Sequence, residues 1–590
     1  MRHEHIINGS GDPAAKAARV NVLIRNGDLL QAYAAAATAL ADHPDDKRLH
    51  YWRVLALARL GETDRAHAAY REAGLDNVDE SDTLSLWARL EKDRALATAD
   101  VADRMGLLLK AAHAYRDVYR RTGDYFPAIN AASMLLLAGE REGARDLAGE
   151  VLAMPAITSP QGYYAAATTA EALLILGRTA EAQAAAVAAL GFPDADPGAR
   201  SSTCRQLASL AEAMGAGEDV VALFRPAPVL TYCGHMFLAD AEAEADLAGA
   251  IAGALDSRGC TAAFGSLACG ADILVAEAVL KRGCGLHVFL PFAEDDFLAQ
   301  SVRPGGTSWV TRYRRCLEQA SSVTIASTTP WLHDDNQFAY ASQLMMGGAR
   351  LRASFLNTHA WQLAIWDGVE SAGVAGTGAD VGRWRNHGGE TVTLEPGAFD
   401  RELPRPEGAA PPGNASRAVR SIIFTDFKGF SKIGEAELPY FWEDVMGGVA
   451  AVIERHRDEV LCRNTWGDAL FAVTASASAA AHIALELQEA LVELALARFG
   501  EEAGMRVSVH LGPVYSLTDP VTGVPTVLGE EVNRTARIEP VTPVGQVYVS
   551  ESFGAILAME QPGQFRLSYV GRVKLAKAHG ELGMYRLNRR

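Results

Sequence analysis

At Pro226 the spacing of apolar residues along this 590-residue chain changes, and no single layer of structure satisfies both spacings. Upstream, Ala- and Leu-rich segments read as helix after helix, with short polar breaks and almost no β-branched runs. Downstream, short apolar runs of strand length alternate with helical segments. A chain this long exceeds one hydrophobic core. The change of texture therefore reads as a domain boundary. The expected layout is an all-α repeat region over 1–225, an α/β domain over 226–395, a linker over 396–417 and a C-terminal domain over 418–590.

The helical region repeats itself. YWRVLALARLGETDRAHAAY from Tyr51, INAASMLLLAGEREGARDLA from Ile129 and YYAAATTAEALLILGRTAEAQAAA from Tyr163 each open on an aromatic residue or Ile. Each closes one helix with a glycine (Gly61, Gly139, Gly177) and continues into an Ala-rich helix. Small residues at such positions let neighbouring helices approach closely, as in stacked helical hairpins. The segment resembles tetratricopeptide-type repeats, although the 34-residue spacing is not kept; an irregular helical bundle is the other reading. Such a scaffold offers a surface for a protein partner and carries no catalytic pattern.

Charge and composition exclude several classes. A net charge of −17 argues against a nucleic-acid binder, which carries a basic footprint. No apolar run reaches membrane-spanning length, and MRHEHIINGSG lacks the apolar core of a signal peptide. A cytoplasmic protein with no membrane partner is expected. The cysteines at 204, 233, 260, 269, 284, 316 and 462 form no CxxC pair and read as small buried residues in a reducing compartment. His3 and His5 read as part of an exposed terminus rather than a metal site.

In the α/β segment the strand candidates are VLTYCGH, CTAAFG, LHVFLPF, SSVTIAS, AWQLAIWDG and TVTLE. Their alternation with helices implies a doubly wound parallel sheet. GSLACGADILVAEAVLKRG from Gly265 follows a strand and opens a helix, where glycines let backbone N–H groups face a phosphate. With TYCGH and LHVFLPF around it, this Rossmann-like stretch resembles the SLOG superfamily of nucleotide sensors. That resemblance implies a nucleotide-like ligand near Gly234, His235, Gly265, Ser266, Gly270 and Asp272, with the Pro291 loop, Glu277 and Asp367 nearby. Glycines that serve only tight packing are the alternative.

Four pieces of the C-terminal segment belong together. SIIFTDFKGFS is an apolar strand ending at Asp426 and turning through Lys428 and Gly429. VLCRNTWGDALFAV reads as a hairpin with Gly467 and Asp468 at its tip, and an amphipathic helix over about 437–456 lies between the two. Strand, helix and hairpin of these lengths bring two carboxylates to one sheet edge, a donor pair suited to hard cations holding a triphosphate. In GEEVNRTARIEPV, Asn533 and Arg537 share one helix face and suit charge developing on a transferring phosphoryl group. In VGRVKLAKAHGELGMYRL, Lys574 and Lys577 are point charges for terminal phosphates.

In this order and spacing the four pieces resemble the class III adenylate/guanylate cyclase family over about 418–588. The resemblance implies an α+β ferredoxin-like cyclase palm that works as a homodimer with shared sites. It also implies two Mg²⁺ or Mn²⁺ ions on Asp426, Asp468 and the Phe427 carbonyl, and a loop of Lys428, Gly429, Phe430 and Ser431 under the triphosphate. Asn533 would position the ribose and Arg537 would stabilise the transition state from the second subunit. The 3′-hydroxyl attacks the α-phosphorus and pyrophosphate leaves. Three positions depart from the family pattern. Asn464 stands where the family places Lys or Glu, Thr526 stands where it places Asp or Cys, and KLAK replaces a KGK-like turn. The reading is a multidomain nucleotidyl cyclase with ATP as the favoured substrate. A pyrimidine triphosphate such as UTP or CTP, or an inactive nucleotide-binding scaffold, is the alternative. Trp466 is placed either to stack on a base or to pack.

Overall fold

The computed structural model describes residues 12–370, 373–397, 399, 416–492, 494, 499–500, 502–578 and 580–590. His3, His5 and linker residues 400–415 lie outside the described residues. The chain divides into two compact units: Met1–Ala227 with Arg352–Thr358, and Pro228–Leu351 with His359–Arg590.

The first unit is built of helical hairpins, among them Lys47–Arg59 with Thr63–Glu72, Tyr125–Leu137 with Arg141–Leu152, and Tyr163–Ile175 with Thr179–Leu190. The three glycines singled out in the repeats do the same thing. Gly61, Gly139 and Gly177 have φ of 86°, 88° and 80°. The residue after each donates back across the helix end, Glu62 to the Leu57 carbonyl, Glu140 to Leu135 and Arg178 to Leu173. A left-handed residue at this position satisfies the last free carbonyls and turns the chain for the next helix. Alanines at 0% exposure, such as Ala66, Ala144 and Ala182 in the second helix of each pair, sit at the close approaches. Arg352 ties the inserted segment to this unit through a buried pair with Asp28 at 2.6 Å and a bond to the Asn26 carbonyl.

The second unit holds two sheets. Strands β1 (Val229–Gly234), β2 (Ala262–Gly265), β3 (Gly285–Leu290), β4 (Ser322–Ile325), β5 (Ala360–Ile365) and β6 (Glu390–Leu394) form an all-parallel sheet in the order β4-β3-β2-β1-β5-β6. The order reverses at β1/β5, so the carboxyl ends of those two strands flank a topological switch point.

The other sheet contains β7 (Ser416–Lys428), β8 (Val460–Trp466), β9 (Ala469–Thr474), β10 (Gly504–Thr518), β11 (Pro525–Leu528), β12 (Val547–Ser550), β13 (Phe565–Lys574) and β14 (Glu581–Arg589). Its order is β13-β14-β12-β10-β7-β9-β8, with β11 on β10. The helix expected over 437–456 is present without a break, α-helical at Leu438–Tyr440 and Gly447–Arg455 with a π-helical stretch, Phe441–Met446, between them.

Helix Asn336–Phe355 joins the two sheets. A β-carbon on Gly347 would stand 1.9 Å from the carbonyl oxygen of Ala555, in the helix Glu551–Glu560. On the same helix Tyr340 Oη donates to the Leu511 carbonyl on β10, and Arg350 donates to the Met559 and His387 carbonyls. Only glycine permits this approach of two backbones. Gly347→Val is expected to lower the unfolding free energy by about 2 kcal/mol or more, whereas Gly382→Ala, whose β-carbon meets open space, is expected to change it little. Denaturant titration of the two variants checks this.

Candidate active site

β7 pairs with β10 along its whole length but with β9 only from Ser421 to Phe424. Beyond Phe424 one edge of β7 is free of a ladder, and the Thr425 hydroxyl accepts from Leu470 N–H where the ladder stops. Asp426 and Phe427 follow at that open edge, while Phe427 is buried under Phe441 and Phe499. The β8–β9 hairpin turns through Gly467 (φ 64°) and Asp468, and Asp468 Oδ2 accepts from Phe427 N–H at 3.3 Å. Both carboxylates therefore meet at one point of the sheet. Burial pushes the Asp468 carboxyl up, backbone donors oppose this, and the neighbouring Asp426 charge adds to the rise.

Two residues absent from the sequence reading complete this cluster. Arg506 lies directly across β10 from Asp426 and forms an ion pair with its carboxylate. Its Nε stands 2.7 Å from Glu539 Oε1. Burial and the charges of Asp426 and Asp468 push the Glu539 carboxyl up to about 7, against the pull of Arg506. Asp426, Asp468 and Glu539 thus face one cation. Hard oxygen donors with surplus negative charge fit Mg²⁺ or Mn²⁺ held by two carboxylates together with carbonyl and phosphate oxygens. Among the described residues no group of three or more His, Cys, Asp or Glu side chains is placed to hold a metal ion, so the two aspartates alone are the candidate side-chain donors. The signal for Arg506 was present in the sequence: one charge inside the apolar run MRVSVHLGPV.

The remaining candidates fall elsewhere. Lys428 is exposed and pairs with Glu502 at 2.7 Å; Gly429 is left-handed (φ 97°); Phe430 packs on Phe441, and Ser431 lies in the turn Phe430–Lys432. Asn533 is exposed and Arg537 half-buried on helix Glu530–Ile538, with Arg537 Nε buried and without a hydrogen-bond partner. The turn Ala576–Ala578, with Lys577 at φ 57°, lies against that helix, and exposed Lys574 ends β13. Among the described residues no hydrogen bond or ion pair joins Asn533, Arg537, Lys574 or Lys577 to Asp426 or Asp468. Asn464 lies exposed on edge strand β8, and Thr526 is half-buried on β11, which approaches β8. Trp466 stacks on Phe424 (6.2 Å, 13°) yet stays 55% exposed.

In the parallel sheet the glycines of the expected ligand site are filled by the domain itself. A β-carbon on Gly265 would meet the Tyr232 ring, on Gly234 the Ala271 side chain, and on Gly270 (φ 95°) the Phe237 backbone nitrogen. Their missing side chains thus serve packing. Ser266 Oγ is buried without a partner, and Glu277 is taken by Arg312 and Arg315. At the switch point His235 Nε2 stands 3.1 Å from Asp367.

Residues 415–589 match the family model "Adenylate and Guanylate cyclase catalytic domain", and residues 28–137 match "Tetratricopeptide Repeats-Sensor". No curated protein matches the chain. Similar solved structures include the guanylate cyclase domain of RhGC from Catenaria anguillulae in complex with GTP (22% identity, 29% of this chain and 97% of that one, TM-score 0.26). Others are an adenylate cyclase of Trypanosoma brucei in its monomeric state (23%, 29% and 88%, 0.26) and the non-canonical dimeric guanylyl cyclase domain of the RhoGC fusion protein from Blastocladiella emersonii (20%, 30% and 99%, 0.26). No helix among the described residues is long and apolar enough to cross a membrane.

The Asp272 carboxyl is buried and pushed up to about 7, with a bond from Ala268 N–H opposing the shift. The fold therefore prefers it protonated, and stability present at acid pH is lost as pH rises from about 4 through 7. Asp272→Asn is expected to flatten that slope by roughly 1–4 kcal/mol, read from denaturation midpoints at several pH values.

Proposed function

We propose that the C-terminal domain converts a nucleoside triphosphate into a 3′,5′-cyclic nucleotide and pyrophosphate, working as a homodimer. The observation that carries this reading is the meeting of Asp426 and Asp468 at the free end of β7, within a segment that matches the cyclase catalytic model. Asp426, Asp468 and the Phe427 carbonyl would hold two Mg²⁺ or Mn²⁺ ions. When bound, these supply acidification of the 3′-hydroxyl and charge neutralisation on the leaving pyrophosphate.

The chain's own residues do the rest. Arg506, paired with Asp426, gains a phosphate oxygen as a partner when a triphosphate enters. The loop of Lys428, Gly429, Phe430 and Ser431 continues from β7 beneath that triphosphate. Asn533 orients the ribose, and Arg537, with an unmatched buried donor, takes charge that develops on the transferring phosphoryl group. Lys574 or Lys577 meets the terminal phosphates. A site shared between two subunits, as the resemblance to the cyclase family implies, would set Asn533 and Arg537 of one subunit against Asp426 and Asp468 of the other. Exposed Tyr440, Trp442, Leu461, Val521, Val524 and Leu528 supply apolar surface for that association. The middle domain, fixed to the catalytic sheet through Gly347, is positioned to regulate it.

ATP is the favoured substrate. Asn464 Oδ1 accepts from Thr465 N–H at 2.9 Å, which leaves the amide N–H groups to act as donors. A donor suits the N1 acceptor of adenine and opposes the N1–H of guanine, and Thr526 can accept from the adenine amine. A pyrimidine triphosphate offers acceptors as well and is the second reading.

Asp426→Ala and Asp468→Ala are each expected to lower turnover at least 100-fold without unfolding the protein. Mass identification of products from each of the four triphosphates with Mn²⁺ is the assay, and retention of more than about a tenth of the rate would refute the metal assignment. Co-expressed Asp468→Ala and Arg537→Ala chains are expected to recover up to about a quarter of the activity, since one of two sites is intact; heterodimers without activity would overturn the shared site. Asn464→Lys is expected to raise ATP turnover. Equal rates for all four triphosphates, unaltered by this substitution, would remove Asn464 from base selection.

A further inference from the structure

The helical unit contains a cation cluster that its own packing does not neutralise. Arg59 ends helix Lys47–Arg59, Arg89 lies in Ser81–Ala97 and Arg205 in Pro197–Met214, and the three line one small cavity. Gly27, Leu29, Ser201, Ser202 and Leu356 close its walls, and its volume is about 20 Å³, opening to solvent at the mouth. Arg59 Nε and Arg89 Nε are fully buried and lack hydrogen-bond partners. Arg205 stands exposed at the mouth and spends one donor on the Phe355 carbonyl at 3.0 Å.

The cations feel one another. Burial pulls the Arg59 guanidinium below its ordinary range; Tyr164 opposes the shift and Arg89 adds to it. Packing around the Arg205 guanidinium, with repulsion from Arg89 and Arg59, lowers it as well, although the residue as a whole is exposed. Lys92 lies behind the cluster, bonded to Gln206, and burial with the Arg89 charge takes it down to about 8. Against these four cations stand two nearby acids. Asp93 reaches Arg89 only at 3.4 Å, and Glu171 is engaged by Ser133 and Gln206. Like charges held together away from water are costly unless a counter-charge joins them. In a chain of net charge −17 such a cluster is not a by-product of composition.

We propose that this cavity binds a dianionic phosphoryl group, carried by a nucleotide or by free polyphosphate. Three planar guanidiniums on three helices match the several oxygens of a phosphoryl group, and its double charge fits the two unmatched cations. A single carboxylate would leave the surplus half unmet, and so narrow a recess admits one anionic group at its mouth rather than a length of peptide. The site stands independently of the cyclase reading.

Calorimetric titration of the full-length protein in EDTA tests it, since chelation removes metal-dependent phosphate binding at the catalytic domain. Inorganic tripolyphosphate and 5′-AMP are the probes, with an Asp426→Ala background as a second control. Binding of either probe at micromolar concentrations, weakened at least tenfold by Arg205→Gln and retained in Asp426→Ala, supports the proposal. The stronger of the two probes identifies the source of the phosphate. Arg205 is exposed, so its substitution is expected to fold, and circular dichroism checks this; Arg89→Gln is the buried counterpart. No heat with either probe, binding untouched by Arg205→Gln, or tighter binding of a polyglutamate peptide than of both phosphates would overturn it.

Discussion

The helix that carries Asn533 and Arg537 is held at both ends by one face of one strand. On β10, Arg506 pairs with Glu539 just beyond the helix, and His510 Nε2 stands 2.6 Å from Glu531 in its first turn. Residues 506 and 510 lie four apart, which is about 13 Å along a strand. Glu531 and Glu539 lie eight apart, which is about 12 Å along a helix. The two rises agree, so both pairs close together without bending either element. His510 and Glu531 are buried, and the Ser550 hydroxyl, 2.6 Å from His510 Nδ1, occupies the other ring nitrogen. Burial alone would push the Glu531 carboxyl up, but His510 and Arg534 hold it below the ordinary range. A buried network of this kind contributes less to stability than to register, because breaking one partner leaves a charge without a mate.

Arg506 also reaches the other half of the site. Through the β7–β10 ladder it sits opposite Asp426, so one guanidinium touches that carboxylate and the anchor of the Asn533 helix. A shift of β7 by one residue would put Asp426 on the opposite face of the sheet and break this link. The thirteen paired positions of the ladder, from Gly504↔Lys428 to Ser516↔Ser416, guard against that slip.

The sequence carried some of this and hid the rest for a physical reason. Asp426 at a strand end, a Gly-Asp turn between two apolar runs and the Asn533/Arg537 spacing are local patterns, readable from neighbours in the chain. The charge of Arg506 stands out locally in an apolar run, but its partners, and the roles of Glu539 and His510, come from cross-strand register and helix packing, which no local window contains. Glycines show the same divide. Gly61, Gly139 and Gly177 recur in one motif and share one left-handed turn. Gly265 and Gly270 look like a phosphate turn in sequence, yet Tyr232 and Phe237, 33 residues upstream of each, fill the space beside them. Gly347 gave no signal at all, since its partner Ala555 lies in another sheet's helix.

A change in the middle domain has a short route to the helix that carries Asn533 and Arg537. Tyr340 and Gly347 lie seven apart, two helical turns, and so face the same way. Tyr340 reaches the Leu511 carbonyl beside His510, and Gly347 meets the helix that Ser550 caps through Phe553 N–H. Ser550 is also the partner of His510. Both contacts of helix Asn336–Phe355 therefore end on the network that fixes the first turn of the Asn533 helix. Because Gly347 leaves no room for a side chain, the two helices cannot slide past each other without separating their backbones. Movement of helix Asn336–Phe355 is then transmitted to Ser550, His510 and Glu531 rather than absorbed by side-chain rearrangement, and Asn533 and Arg537 follow as a unit.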